Sequence, residues 1–477
     1  MPPAAPPVSG RRMPISPRLL VLLFLVLLPA VTTRIYASDE VQYFAYLRSL
    51  WFDGDVSFEN EYQHFYDKGI AASQGFHETF LERTTETGRR INFGTIGCAL
   101  LWAPFYAVGD VAARLSRALG ASVAVDGYSR PYIAAVSYAS ACYGLLALLA
   151  SVAIVRRLGR WWPGLGDLGG LSALIVWLGT PLLFYMYIAP PMSHATSAFA
   201  VAVFILAWLI VRDTWSIGGM AALGALAAVM AMVREQDAFF IAGPAIDFGW
   251  SLLRAGGQDR TRRLGAAAVG AATFAVTFMP QALAYLALNG RVGPSHLVAR
   301  KMYWFSPHAL QVVGSPSHGF LIWTPLAAIA CVGLLVLVRR LPADARIVGI
   351  AFVVMAAIQI YIAGSVDSWT VAGAFGQRRF VALTSVLVVG LAAVAAVARE
   401  VRWQRVALGV TLAAATWWNV ALIVQFGAGM MDRQRLEPAR IAYNTFIVVP
   451  RALPWLAWRY VTDRASFYES ARSLGAY

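Results

Sequence analysis

Charge is what this sequence has least of. Only 13% of its 477 residues are Asp, Glu, Lys or Arg, well below the roughly 25% of an ordinary soluble domain. With 59% hydrophobic residues, such a chain cannot clothe its own surface in water. Lysine is nearly missing: Lys68 and Lys301 are the only two, so the formal net charge of +14 is carried by arginine. The three cysteines, Cys98, Cys142 and Cys331, stand far apart without a CxxC pair, which argues against a disulfide framework and a zinc knuckle. No Walker motif, GxGxxG context, HExxH or nucleophile elbow occurs, so ATP-driven transport and soluble-type hydrolysis lack support. Basic helices and nucleic-acid modules are also missing, and nucleic acid is not an expected partner.

What is present is a series of apolar runs, several of which reach the roughly 20 residues a helix needs to cross a bilayer. Backbone groups in hydrocarbon must be bonded within their own segment, so these runs are helices; alternating barrel strands are not seen. The expected fold is therefore an all-α polytopic transmembrane bundle. About eleven crossings are expected, near 17–34, 131–155, 168–188, 195–212, 216–233, 235–253, 265–288, 319–338, 346–364, 380–398 and 406–427. The first run follows Arg11, Arg12 and Arg18 and ends in Thr32-Thr33-Arg34 without a small-x-small cleavage site, so it reads as an uncleaved helix.

The basic clusters Arg156–Arg157–Arg160, Arg254–Arg260–Arg262–Arg263, Arg339–Arg340–Arg346 and Arg399–Arg402–Arg405 all fall on one side of this layout. By the positive-inside tendency that side is cytoplasmic, as is the N-terminus. The organisation expected is a cytoplasmic tail (1–16), a first crossing helix (17–34), an outward loop with interfacial helices (35–130), a membrane bundle (131–427) and an outward or interfacial C-terminal segment (428–477). The stretch 93–112 is read as interfacial or re-entrant, and 441–461 as outside the membrane, in the interface. The first would otherwise place Arg156, Arg157 and Arg160 outside, and Pro450, Arg451 and Pro454 interrupt the second.

The loop from Arg34 to Asn92 holds ten of the 25 acidic residues and many aromatics. A simple connector does not explain such a composition. It opens with Ser38-Asp39-Glu40, which is either helix-start chemistry or a carboxylate placed above the bilayer to take a proton from an acceptor. Ser193-His194 follows Pro190-Pro191-Met192 at a helix end, as a satisfied polar pair or as a substrate contact. Arg234-Glu235-Gln236-Asp237 breaks an otherwise apolar run. It is either an ion pair tying helices together or a functional cluster, because polar groups at that depth are costly. Arg300-Lys301-Met302-Tyr303-Trp304, the segment with His318, and Gly376-Gln377-Arg378-Arg379-Phe380 place cations beside aromatics at the outer surface. That pattern suits a lipid phosphate and equally suits headgroup anchoring.

Taken in order, these segments resemble the C-type glycosyltransferase superfamily, in particular the branch of protein O-mannosyltransferases and the aminoarabinose transferase of lipid A. The features that carry the resemblance are one helix, an outward loop opening with Asp39-Glu40, interfacial helices and then a bundle. The stretches GSPSHGFLIWTP (314–325) and GQRRF (376–380) look like segments of bacterial members. The resemblance implies a polyprenyl-phosphate sugar donor reached from the membrane lipid. It also implies an envelope glycan, lipid or protein acceptor on the outer side of the plasma (inner) membrane, and inverting transfer. Asp39 would be the general base, with Glu40 the neighbouring candidate. Arg378, Arg379, Arg300, Lys301 and Arg234 form the pool of cations for the departing phosphate, with His194 and His318 as further substrate contacts. Metal use varies across the superfamily; no His/Asp cluster here has ligand spacing, and a divalent metal is left open, with no other cofactor expected. Two other classes fit the same surface: a transporter or flippase of a lipid-linked saccharide, which would carry internal repeats or paired broken helices, and a non-catalytic assembly protein whose acidic loop binds a partner.

The layout predicts that Ser57→Cys and Ser473→Cys are labelled from outside by an impermeant maleimide. Labelling of position 57 only after lysis would overturn it.

Overall fold

The computed structural model describes residues 15–70, 75–371 and 373–464. The expected cytoplasmic tail, apart from its last two residues, and the end of the C-terminal segment, including Ser473, lie outside the described residues. In chain order the helices are α1 Pro17–Leu27, α2 Ser38–Arg48, α3 Glu59–Asp67, α4 Gly97–Ala118, α5 Arg130–Leu158, α6 Gly169–Gly179, α7 Leu182–Tyr187, α8 His194–Val211, α9 Ile217–Val233 and α10 Ala242–Arg254. They continue with α11 Gly257–Asn289, α12 His296–Arg300, α13 Ala309–Gly314, α14 Phe320–Trp323, α15 Pro325–Arg340, α16 Arg346–Ser365, α17 Thr384–Ala398, α18 Arg402–Gly427, α19 Pro438–Tyr443 and α20 Val449–Thr462. Extended structure among the described residues is limited to two isolated bridges, Thr84 with Arg90 and Met302 with Val366. The protein is an all-α polytopic membrane protein.

Among the described residues seven helices are long and apolar enough to cross a membrane: α4, α5, α8, α11, α16, α18, and α17 with its 3-10 entry from Arg378. Six of these coincide with expected crossings. The stretches at Pro17–Ala30, Gly166–Gly179 and Ile217–Val233 are apolar but shorter. Two of the remaining expected crossings are broken by proline, which lacks the amide hydrogen a helix interior needs. The 168–188 run divides at Thr180-Pro181 into α6 and α7, and the 319–338 run divides at Thr324-Pro325 into α14 and α15. A third, 235–253, begins as a 3-10 turn over Glu235–Ile241.

The seventh long helix, α4, covers the stretch expected to be interfacial. Its position relative to α5 is offset. The Tyr143 hydroxyl donates to the Leu101 carbonyl at 2.7 Å, and a Cβ on Gly109 would meet the Pro131 carbonyl. Gly109 is therefore level with the first turn of α5, and the last turns of α4, to Ala118, continue past it.

α5 is the central post, packed against α4, α6, α8 and α17. At the closest helix crossings the backbones meet through glycine, the small-residue packing common in membranes. Gly224 of α9 lies against the Gly270 carbonyl of α11, and Gly333 of α15 against Gly390 of α17. One end of the bundle collects arginine. Arg157 and Arg160 pair with Asp213 at 2.5 and 2.7 Å, Arg160 and Arg212 cover Trp161, Arg340 covers Trp162, and Arg399 donates to the Gly164 carbonyl. This is the end where the basic clusters were expected to meet.

At the opposite end the acid-rich segment folds as a layer. Its acids are largely internal supports. Glu61 is buried and accepts from Arg48 at 2.9 Å, Arg48 also pairs with Asp53 and covers Tyr128, Asp55 accepts from Ser49 and from the Ser57 amide, and Glu59 pairs with Arg90.

A Cβ at Gly390 would stand 2.1 Å from the Ala330 carbonyl oxygen, whereas one at Gly409 would meet nothing within 4 Å. Gly390→Ala is therefore expected to destabilise the bundle by about 1–3 kcal/mol through overpacking. Gly409→Ala should leave the detergent melting temperature unchanged or slightly raised. Equal melting of the two variants would refute the packing assignment.

Candidate functional site

The site lies at the end of the bundle opposite the arginine-rich face, where four chain breaks meet. α2 begins there with Asp39 and Glu40 in its first turn, α8 begins at His194, and α9 ends at Arg234, whose backbone is extended at φ −154° and ψ 124°. The 3-10 entry to α17 starts at Arg378.

Asp39 and Arg378, far apart in sequence, form an ion pair at 2.7 Å, with both side chains partly exposed. Arg378 also approaches the Met192 sulfur at 3.9 Å. Arg379 donates to the carbonyl and the hydroxyl of Ser368, at 2.8 and 3.1 Å. Arg234 donates to Gln236 at 3.2 Å. His194 lies within electrostatic reach of Arg234, Arg378 and Arg379 together, and Tyr185 within reach of Arg234, Arg378 and Asp39. The centre thus brings the Arg378 and Arg379 guanidinium groups beside the Asp39 carboxylate, with Arg234 next to them and within reach of the Asp237 carboxylate.

The acids next to Arg234 do not pair with it. Glu235 accepts from Tyr285, and the buried Asp237 accepts from Ser197 at 2.6 Å. The local helix-tying ion pair is therefore not formed. Nη1 of Arg234, Nδ1 of His194 and Oδ1 of Asp237 are buried without a hydrogen-bond partner. Such atoms are uncommon in folded proteins and call for a specific account, such as a bound molecule.

Glu40 does different work from its neighbour. It is completely buried, and one carboxylate oxygen accepts the amides of Tyr36 and Ala37 at 2.6 and 3.1 Å. The side chain reaches back from the third helical position to the chain before α2, as in a capping box. These contacts tie the start of α2 to the chain before it. Burial pushes its carboxyl from the ordinary 4.5 up to about 7, against the two amides.

His318 is also fully buried. Its ring stacks on Trp323 with centroids 4.7 Å apart, and Nε2 meets the Ala374 carbonyl at 2.8 Å. It props the 366–377 loop that leads into Arg378, where a substrate contact was expected. Gly319 is needed beside it, because a Cβ there would collide with the Ser315 backbone. Arg300 is exposed at the end of α12 and is not drawn into the centre. Lys301 is closer: its ammonium covers Phe93 at 4.8 Å, and the Phe93 amide donates to Gln42, one turn beyond Asp39.

Several amide side chains have supporting roles that were not read from the sequence, where Gln236 and Gln377 appeared only as members of their clusters and Gln42 and Gln359 not at all. Gln42 links the Asp39 turn to Asn92 and Phe93. Gln236 donates to the Arg379 carbonyl, Gln359 to the Gln236 carbonyl, and Gln377 to the carbonyls of His318 and Trp369. The available signal was an isolated amide side chain inside or beside an apolar run. Among the described residues no three His, Cys, Asp or Glu side chains gather as a metal site would require; the charge facing Asp39 is a guanidinium.

Because its folded-state pKa is raised, Glu40 favours the folded state at low pH, where it holds its proton. That contribution fades as pH rises from about 4.5 through about 7. Glu40→Gln keeps an acceptor for both amides and cannot ionise. Its melting temperature should fall less than the parent's between those pH values, while Glu40→Ala, which strands both amides, should cost about 1–3 kcal/mol. Parallel pH profiles for parent and Glu40→Gln would contradict this.

The chain matches no protein-family model and no curated protein. Among solved structures it is similar to the archaeal oligosaccharyltransferase AglB from Archaeoglobus fulgidus in complex with an inhibitory peptide and a dolichol-phosphate, at 11% identity and a TM-score of 0.45. It is also similar to the apo form of the Archaeoglobus fulgidus oligosaccharyltransferase, at 11% identity and a TM-score of 0.41. In both cases 96% of this chain is covered and 56% of the other, so the chain spans little more than half the length of those proteins. At that level of similarity the functional reading rests on the residues of the site.

Proposed function

We propose that this protein is a membrane glycosyltransferase that moves a sugar from a polyprenyl-phosphate donor to an envelope acceptor at the membrane face bearing Asp39. The observation that carries the reading is the ion pair of Asp39 with Arg378, set beside Arg379 and Arg234 where the broken helices meet. The Asp39 carboxylate and these three guanidinium groups match the two demands of the reaction. A base must receive the acceptor's proton, and cations must receive the charge of the leaving phosphate.

In this mechanism the donor phosphate takes Arg378 from Asp39, since a guanidinium binds phosphate through two parallel hydrogen bonds. Asp39 is then free to face the acceptor. The acceptor's hydroxyl or amine attacks the anomeric carbon, and its proton passes to Asp39. The bond from that carbon to the phosphate oxygen breaks, and its electron pair leaves on the polyprenyl phosphate. Arg378, Arg379 and Arg234 stabilise the charge developing there. Attack opposite the leaving group gives inversion. The lipid tail stays in the bilayer, so the centre belongs where membrane meets water. The orientation that fits is a plasma (inner) membrane protein with its arginine-rich face in the cytoplasm and the Asp39 face outward. The domain plan of outward loop, bundle and C-terminal segment belongs to the same proposal.

Asp39→Asn preserves the side chain's shape and removes its proton-accepting charge. It should insert normally, bind the donor, and transfer sugar about a hundred- to ten-thousand-fold more slowly, while Glu40→Gln retains most activity. Arg378→Ala should weaken donor binding about tenfold or more, from a charge-assisted bond of about 1.5–3 kcal/mol; Arg402→Ala, on the opposite face, should not. The assay uses purified protein with a panel of polyprenyl-phosphate sugars. Full activity of Asp39→Asn removes the assignment of the base. Donor binding without transfer by the parent on any acceptor favours the transporter or flippase, and absence of donor binding favours the assembly role.

A further inference from the structure

A cavity of about 640 Å³ opens beside the connector between α1 and α2. This is within the range of sites that hold small molecules, about 300–1,000 Å³. Its wall includes Arg34, Ile35, Arg130, Ile133 and Arg464, and no carboxylate lines it. Arg130 is the first residue of the crossing helix α5, and Arg34 follows the end of α1, so the cavity sits at the membrane boundary on the Asp39 face.

Among the described residues no carboxylate pairs with the charges in this cavity. Among the described residues neither Arg34 nor Arg130 has an ion pair or a side-chain hydrogen bond, and both are exposed. Arg464 donates to the carbonyls of Pro29 at 2.8 Å and Val31 at 3.3 Å, which hold its position and leave its charge uncancelled. Three like charges around one cavity repel one another, and an anion between them relieves that repulsion. The surroundings define the kind of anion. Ile35 and Ile133 give the cavity an apolar side, and α1, the helix that leads to Arg34, exposes Leu22, Leu25 and Val26. A soluble anion has no use for that strip, whereas a lipid has one for its acyl chains.

We propose that this cavity binds the phosphodiester headgroup of an anionic membrane lipid, with Arg34 and Arg130 taking the phosphate and the acyl chains running along α1. The site is separate from the Asp39 centre and does not depend on the reaction assigned there. Its consequence reaches that centre through the backbone. The Tyr36 amide is held by Glu40, so a lipid that steadies residues 34–36 also steadies the start of the helix that carries Asp39.

The test is native mass spectrometry of the full-length protein with phosphatidylglycerol and phosphatidylcholine. The Arg34→Gln/Arg130→Gln double variant is compared with Arg402→Gln/Arg405→Gln, which removes equal charge from the opposite face. Thermal melting confirms that both variants fold. The parent should bind phosphatidylglycerol at least about tenfold more tightly than phosphatidylcholine, a difference of about 1.4 kcal/mol. The first double variant should lose that preference and the second keep it. Parent-like binding by Arg34→Gln/Arg130→Gln, or equal loss in both variants, overturns the site. Displacement of the lipid by excess inorganic phosphate overturns the lipid assignment in favour of a soluble anion.

Discussion

A helix that breaks inside an apolar bundle frees carbonyls and amides that hydrocarbon cannot satisfy, and such breaks survive only where protein or a polar cavity supplies partners. This chain breaks near Thr180, Arg234, Thr324 and Gln377, and the freed groups are satisfied largely by side chains from elsewhere in the fold. Asn419 bonds the carbonyls of Leu178 and Thr180. Thr95 bonds that of Val233, and Trp418 bonds the Ile322 carbonyl. Gln236, Gln359 and Gln377 join the remaining breaks to one another. The gathering of ends follows from this exchange, and with it the gathering of Arg234, Arg378 and His194, each of which sits at such an end.

The long crossings were legible because length and apolarity decide them. The shorter and broken ones were counted as continuous because a 20-residue window averages over one proline. Pro181 and Pro325 were visible; the distant side chains that satisfy their breaks, Asn419 and Trp418, were not. The capping of α2 could be read from Ser38-Asp39-Glu40, since an acid at the third helical position is a local signal. The division of labour within that pair could not, because it depends on Arg378, a partner supplied by another part of the chain. In Arg234-Glu235-Gln236-Asp237, proximity in sequence suggested an internal ion pair. Tertiary neighbours, Tyr285 and Ser197, took the acids instead and left part of the arginine unpaired.

Arginine serves two purposes at the two ends of the bundle. On the face with Arg157, Arg160 and Arg212 it is matched by Asp213, Asp247 and tryptophan rings, an arrangement that fixes helix ends. Around Asp39 and in the Arg34–Arg130 cavity, cations outnumber carboxylates. That imbalance costs stability through self-repulsion. The acid-rich layer near α3 follows the first pattern, with Glu61 and Asp53 held by Arg48, so its composition is explained largely by its own packing.

The pairing of Asp39 with Arg378 also sets a timetable. The first partner leaves the ribosome early and the second only after most of the chain has been made. Contacts between such distant segments form late, after the intervening loops have been closed. Throughout synthesis the first loop must therefore persist on its own supports, the Glu40 cap and the Arg48 cluster among them, while a centre that needs both ends of the polypeptide stays incomplete. A nascent or truncated chain lacking residues beyond 377 would carry the carboxylate without its counter-charge.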